Sequence, residues 1–422
     1  MIDRLQSESD PTAAHGLAIS DRTGIVTRTV ETDLSHLFDG YLVVRSVVSD
    51  LTALFDTSKQ LTTGGAAVEH SRQQARDRAV GEALERYSIE RPPTETVVGT
   101  AETVDGALWW EPHTDAQYDD SALFSCRPTP NDEREWIGVT HIRDGTTRRV
   151  PASTVYLGAS GYGPLKEATS TGAACHTTLP RAVLGGLLEA IERDAAAISL
   201  LNGLPRQRLS TRVVADAAPA RFAALSDAGL NVTVVDVTSD LPVPSYFAFA
   251  TDGTWLSVGG SCHPLAETAV SEALEEVMHT YYSLREVYDV EPDDVADPTA
   301  LERLNHHLMY YQGDRRRILL DRVPDETVSL RSDLCHRDAT TPELLASVVD
   351  CLDDAGIDTY FHETTSGDLR EIGVRTAAVV APELVDINAR YNARQLGCDR
   401  LYTVPERLSY EAGLVDEPHP IP

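Results

Sequence analysis

The sequence predicts a mixed α/β fold built around three long amphipathic helices, and three observations point there. The tract Glu82-Ala83-Leu84-Glu85-Arg86 returns as Glu189-Ala190-Ile191-Glu192-Arg193, each copy inside a segment of helical periodicity. A third such segment, residues 268–277, sets Val270, Ala273, Leu274 and Val277 on one face and Thr268, Glu272 and Glu275 on the other. Short β-branched runs bounded by glycine and proline lie around them, as strands do. A chain of 422 residues has room for two or three domains or one elaborate α/β unit.

The elements follow in order. Residues 1–55 form an N-terminal segment whose run Tyr41-Leu42-Val43-Val44-Arg45-Ser46-Val47-Val48 reads as a strand. A helix over about 70–90 ends at Pro92-Pro93. Strands and turns come next, with Trp109-Trp110 partly buried and a strand at 154–157. The glycine-rich stretch 158–163 then reads as a plain turn, because Pro164 and polar residues follow it in place of an apolar helix start. A helix covers about 180–201, strands lie near 232–237 and 243–247, and a third helix spans about 265–287. An acidic linker runs from Asp289 to Asp297, Asp314-Arg315-Arg316-Arg317 reads as a solvated turn, and 374–381 as a central strand.

The chemistry sits on the helices. Residues three and four apart share a helix face, so Glu82, Glu85 and Arg86 oppose Val80, Leu84 and Tyr87, and Glu189, Glu192 and Arg193 oppose Val183, Leu187 and Ile191. Each face alone could be a solvated surface of charge pairs worth ~0.2 to 0.5 kcal/mol. If the two faces meet at a cavity, four carboxylates gather there, and they persist only by binding cations or shifting their pKa values. Magnesium suits them, since it takes a few carboxylates plus phosphate oxygens, and the arginines can fork onto the remaining phosphate oxygens. His70, His176, His306 and His307 have no partner at metal spacing and read as surface or core residues.

Composition bounds the setting. Net charge is −30, and lysine occurs only at Lys59 and Lys166. Such an acidic, lysine-poor surface is the kind that stays soluble in a salt-rich cytosol, and it argues against nucleic-acid binding through a basic patch. The N-terminus begins no apolar run and no stretch approaches the ~18 apolar residues of a membrane span, so a soluble, cytoplasmic protein is expected. Six scattered cysteines without a Cys-x-x-Cys predict free, largely buried thiols.

The tract from Ala75 through Arg86-Tyr87-Ser88 resembles the opening signature of the YcaO superfamily, and Ser170-Thr171-Gly172-Ala173-Ala174 through Glu189-Ala190-Ile191-Glu192-Arg193-Asp194 resembles its next one. The strand pair, Gly259-Gly260-Ser261-Cys262-His263 and the third helix follow in the family's order, and the likeness runs from about Thr57 to Pro422. The ending Pro418-His419-Pro420-Ile421-Pro422 resembles the tail of azoline-forming YcaO cyclodehydratases.

The resemblance implies a YcaO-type catalytic domain over 56–422, with the three helices around an ATP and Mg2+ site. Glu82, Glu85, Glu189 and Glu192 would hold Mg2+. Arg86, Arg193 and Glu272 would serve ATP, and Pro422 would bring a catalytic carboxylate on a stiff polyproline rod. The implied reaction is ATP-dependent cyclodehydration of Cys, Ser or Thr in a peptide substrate to azolines, by a homodimer working with a separate ThiF-like leader-binding partner. A thioamide-forming enzyme with a sulfur-delivery partner and a non-catalytic nucleotide-binding scaffold stay open. Where the family commonly has Ser, Lys, Asn, Arg and Gln, this chain has Arg78, no lysine in 62–68, Thr171, Thr268 and Glu275. Lost cations and an added carboxylate predict weaker binding of a polyanion, with Arg76, Arg78 and Arg285 as the candidates to compensate.

Overall fold

The computed structural model describes residues 14–55, 64–111, 128–157, 165–288 and 295–421. The stretch 158–163 and the linker as far as residue 294 lie outside the described residues. The chain divides into two compact units, one of Met1–Asp33, Leu42–Ala190 and Thr340–Pro382, the other of Leu34–Tyr41, Ile191–Ala339 and Glu383–Pro422.

In the first unit, Val26–Asp33, Leu42–Val48 and Ala66–Glu69 form a three-stranded antiparallel sheet with the strand expected at 41–48 in its centre. The first carboxylate helix, Arg72–Glu90, packs on this sheet. It starts where Ser71 Oγ accepts the N–H of Gln74, and it ends because Arg91 takes the extended conformation that a following proline imposes. Ala79, Val80, Ala83 and Leu84 are buried from it. Full burial of a side chain such as Leu84 stabilises by ~1.5 to 3 kcal/mol.

A second antiparallel sheet of this unit orders Val97–Gly99, Arg134–His141, Tyr360–Glu363, Arg375–Val380 and Ala173–His176, with Thr147–Pro151 paired to Arg134–His141. Arg375–Val380 is the central strand expected near 374–381, and Thr376 to Val380 are all buried. The strand expected at 154–157 does not form. Ala152–Thr154 is a 3-10 turn instead, held where Thr154 Oγ1 donates to Pro151 O at 2.7 Å. That local side-chain bond outcompetes strand pairing for a short β-branched run.

In the second unit, Leu256–Cys262, Ser245–Thr251, Asn231–Asp236 and Arg208–Leu209 are antiparallel neighbours, and Thr327–Val328 adds a parallel edge. The third carboxylate helix, Ala266–Glu286, packs on Leu256–Cys262 and Ser245–Thr251. Val235, Val237, Phe247, Phe249, Leu256 and Val258 supply much of this core. The second carboxylate helix, Leu179–Leu201, begins in the first unit and ends in the second. Among the described residues no helix is long and apolar enough to cross a membrane. Among the described residues Cys175, Cys262, Cys335, Cys351 and Cys398 form no disulfide, and Cys126 lies outside them.

Candidate active site

Each carboxylate helix aims its acidic face at the N–H groups of a glycine-containing segment. Glu82 Oε2 accepts the N–H of Ala66 at 2.9 Å, and Glu189 Oε2 accepts that of Gly172 at 3.0 Å. Gly172 has φ +85°, and a Cβ there would stand 2.5 Å from Val379 O, so only glycine lets this turn meet the helix. One oxygen of each glutamate is thus committed to the backbone.

Between them lies Glu85, only 17% exposed. Burial pushes its carboxyl up to about 8; Arg86 opposes that shift, and the like charges of Glu189 and Glu82 reinforce it. Arg86 pairs with Glu85 and Glu82 at the long end of ion-pair range. Its Nε stands 3.7 Å from Glu85 Oε1 and its Nη2 3.8 Å from Glu82 Oε1. The neighbouring Cys175 thiol is pushed far up, first by burial and then by the Glu85 charge, so it is no thiolate nucleophile.

In the second unit, Arg193 Nη1 lies 3.5 Å from Glu192 Oε1, and Glu272 Oε2 accepts from Ser261 Oγ at 2.9 Å. Asp194, next in the motif, is fully buried and takes a two-pronged bond from Arg400 at 2.9 and 2.6 Å, so it belongs to the frame. The carboxylate that departs from the family pattern is also spoken for. Glu275 is buried, and its Oε2 lies 2.6 Å from Arg221 Nη2. The cations expected to compensate are on the surface: Arg78 pairs with Glu69 at 2.9 Å, Arg285 reaches Asp252 at 3.5 Å, and Arg76 is exposed.

The structure therefore brings Glu82, Glu85, Arg86 and Glu189 together in the first unit; in the second, Glu192 pairs with Arg193, and Glu272 is held by Ser261. Among the described residues no three His, Cys, Asp or Glu side chains form a ready cage for a metal ion. Magnesium does not need one. It is ordinarily bound by one or two carboxylates together with substrate phosphates. The donor set, all carboxylate oxygens around a desolvated Glu85, fits that ion. The backbone partners Ala66 and Gly172 were not foreseen, although their spacing of 16 and 17 residues from the glutamates is present in the sequence.

The proline-rich tail is docked up to Ile421. Tyr311 Oη donates to Pro418 O, Tyr391 Oη to Asp416 O, and Val415 N to Leu201 O at 2.8 Å. Ile421 joins the core of the second unit. His419 donates from Nε2 to Asn388 O at 2.8 Å and stacks on His307 with ring centroids 4.4 Å apart. Pro422 lies outside the described residues.

Comparison with known proteins completes the description. The family model for the YcaO cyclodehydratases, described as ATP- and Mg2+-binding, matches residues 68–385. An uncharacterized protein of Methanothermobacter thermautotrophicus is 27% identical over 385 residues, covering 87% of this chain and 92% of its own. A heterocyclase solved in complex with substrate and cofactor superposes with a TM-score of 0.71 at 21% identity, over 98% of this chain and 57% of its own. This chain thus spans less than two thirds of that heterocyclase. The YcaO protein from Methanopyrus kandleri bound with AMPPCP and Mg2+ gives a TM-score of 0.61 at 18% identity, covering 86% of each chain. From the match across most of its length, with the doubled glutamate motif and a shared mixed α/β fold, the chain belongs to the YcaO cyclodehydratase family.

Proposed function

We propose that this chain is an ATP-dependent cyclodehydratase that converts Cys, Ser or Thr residues of a peptide to azolines. The observation that carries the reading is Glu85, a desolvated carboxyl grouped with Glu82 and Glu189 and flanked by Arg86. A cation relieves that arrangement. Glu82, Glu85, Glu189 and Glu192 hold Mg2+, Arg86 and Arg193 meet phosphate oxygens, and Glu272 completes the nucleotide's surroundings. When bound, Mg-ATP supplies the electrophilic phosphoryl group that traps the amide oxygen and makes it a leaving group. The protein's part is to orient the peptide amide and to move protons. Pro422, following a docked segment, brings its carboxylate to the substrate amide, in keeping with the anchored Pro418 and Ile421. A separate leader-binding partner, ThiF-like, recognises the peptide, and the chain works as a homodimer in the cytoplasm.

The test is the mass of the cognate peptide after incubation with ATP, Mg2+ and the partner protein. Loss of one water per ring is expected, with ADP and phosphate formed. Appending a few residues after Pro422 should depress cyclisation far more than ATP binding, because each added residue displaces the carboxylate by ~3.1 Å. Exchange of an amide oxygen for sulfur in the product would favour thioamide formation. ATP binding with an unaltered peptide would favour the non-catalytic scaffold.

A further inference from the structure

The third helix carries the same anchoring device as the first two, at a residue outside the motif read from the sequence. Glu82 takes the N–H of Ala66, 16 residues upstream, and Glu189 that of Gly172, 17 upstream. On the third helix the group in this role is Glu276, whose Oε2 accepts the N–H of Gly260, again 16 residues upstream. The packing repeats with it. A Cβ at Gly65 would lie 2.5 Å from Ala79 O, one at Gly186 would lie 2.1 Å from Gly172 O, and one at Gly259 would lie 2.4 Å from Ala273 O. Ala79, Gly186 and Ala273 each stand three residues before the anchoring glutamate, so the three helices meet their partner segments at one offset, the first and third by a backbone carbonyl facing a glycine and the second by Gly186 itself. This register aligns Glu276 with Glu82 and Glu189.

The strand held by Glu276 borders two carboxylates already assigned to the site. A Cβ at Gly260 would stand 3.2 Å from Glu192 Oε1, and Ser261, the next residue, donates to Glu272. The Glu192 carboxylate thus fills the space where a side chain on Gly260 would stand, so a drift of Gly260 changes the room left to it. We propose that Glu276 is a positioning residue of the nucleotide site, fixing Gly260 and through it the places of Glu192 and Glu272. The proposal rests on the reading that Glu192 serves Mg-ATP.

A double-mutant cycle tests it, with Mg-ATP affinity measured by calorimetry on Glu192→Gln, Glu276→Ala, and both together. Glu276→Ala should weaken Mg-ATP binding about tenfold or more, as loss of a group supporting metal ligands does. Glu276→Gln keeps an oxygen acceptor for Gly260 N–H and should recover most of that loss. In the Glu192→Gln background Glu276→Ala should add less than about threefold, since coupled residues do not add. Full additivity, or affinity within about twofold of wild type for Glu276→Ala while Glu192→Gln binds weakly, overturns the proposal and leaves Glu276 a plain staple of helix to strand. If Glu192→Gln itself binds Mg-ATP normally, the nucleotide site is wrong and the positioning role falls with it. Should Glu276→Ala fail to fold, Gly260→Ala probes the same path: its methyl presses on Glu192 Oε1 and Phe247 Cδ2, at 3.2 and 3.3 Å. Unchanged Mg-ATP affinity in that variant overturns the proposal equally.

Discussion

At the scale of residues, the departures from the family pattern are explained by partners. Glu275 stands where the family has a neutral glutamine, yet Arg221 meets it at 2.6 Å, so its charge is compensated and is not added to a nucleotide site. Arg221→Ala leaves a buried carboxylate without its cation and should destabilise the protein by ~3 to 5 kcal/mol, read as a shift in urea midpoint. Glu275→Gln should cost clearly less, since the neutral amide can still accept from the guanidinium. Equal losses for the two would mean that the pair contributes through packing alone. The sequence made Glu82, Glu85, Glu189 and Glu192 visible because their helical spacing is local. It hid Arg221 and Glu276, whose roles depend on contacts between elements, although the recurrent spacing from Gly65, Gly172 and Gly259 was there to be found.

At the scale of elements, the three long helices were legible nearly to the residue, because Ser71, Pro92 and the apolar periodicities act over a few positions. The tail was not. Its prolines predict a stiff rod, and nothing local reveals that His419 and Ile421 are buried. This burial makes stability pH-dependent. Burial drives the His419 imidazole from 6.5 down to about 4, with Arg193 lowering it further, while the carbonyl of Asn388 and the charge of Asp386 oppose the shift. Burial, and then the His419 ring, likewise drive His307 well below its ordinary value, against the pull of the Ala389 carbonyl. The folded state therefore binds fewer protons than the unfolded chain between these pH values. The stability from neutral His419 is complete above about pH 6.5 and is lost as pH falls toward 4, by up to ~3 kcal/mol. Urea unfolding at pH 7 and pH 4.5 should show this loss in wild type and a smaller one in His419→Gln. An equal loss in both would place the acid sensitivity elsewhere.

At the scale of the whole molecule, the net charge of −30 makes any polyanion an unfavourable guest unless a cation accompanies it. ATP is such a guest, and the doubled glutamate motif adds negative charge where the nucleotide is proposed to bind. The account accordingly makes magnesium a condition of binding. Glu82 and Glu189 are the right residues to alter, because glutamine at either position still offers an oxygen to Ala66 N or Gly172 N and so preserves the local fold while removing a charge. The decisive measurement is calorimetric titration of ATP into wild type, Glu82→Gln and Glu189→Gln, each with and without Mg2+. Binding to wild type only when Mg2+ is present, weakened about tenfold or more in both variants at unchanged melting temperature, is the predicted result. Wild-type affinity in both folded variants, or equal binding without the metal, would contradict the account and return these helices to solvated faces.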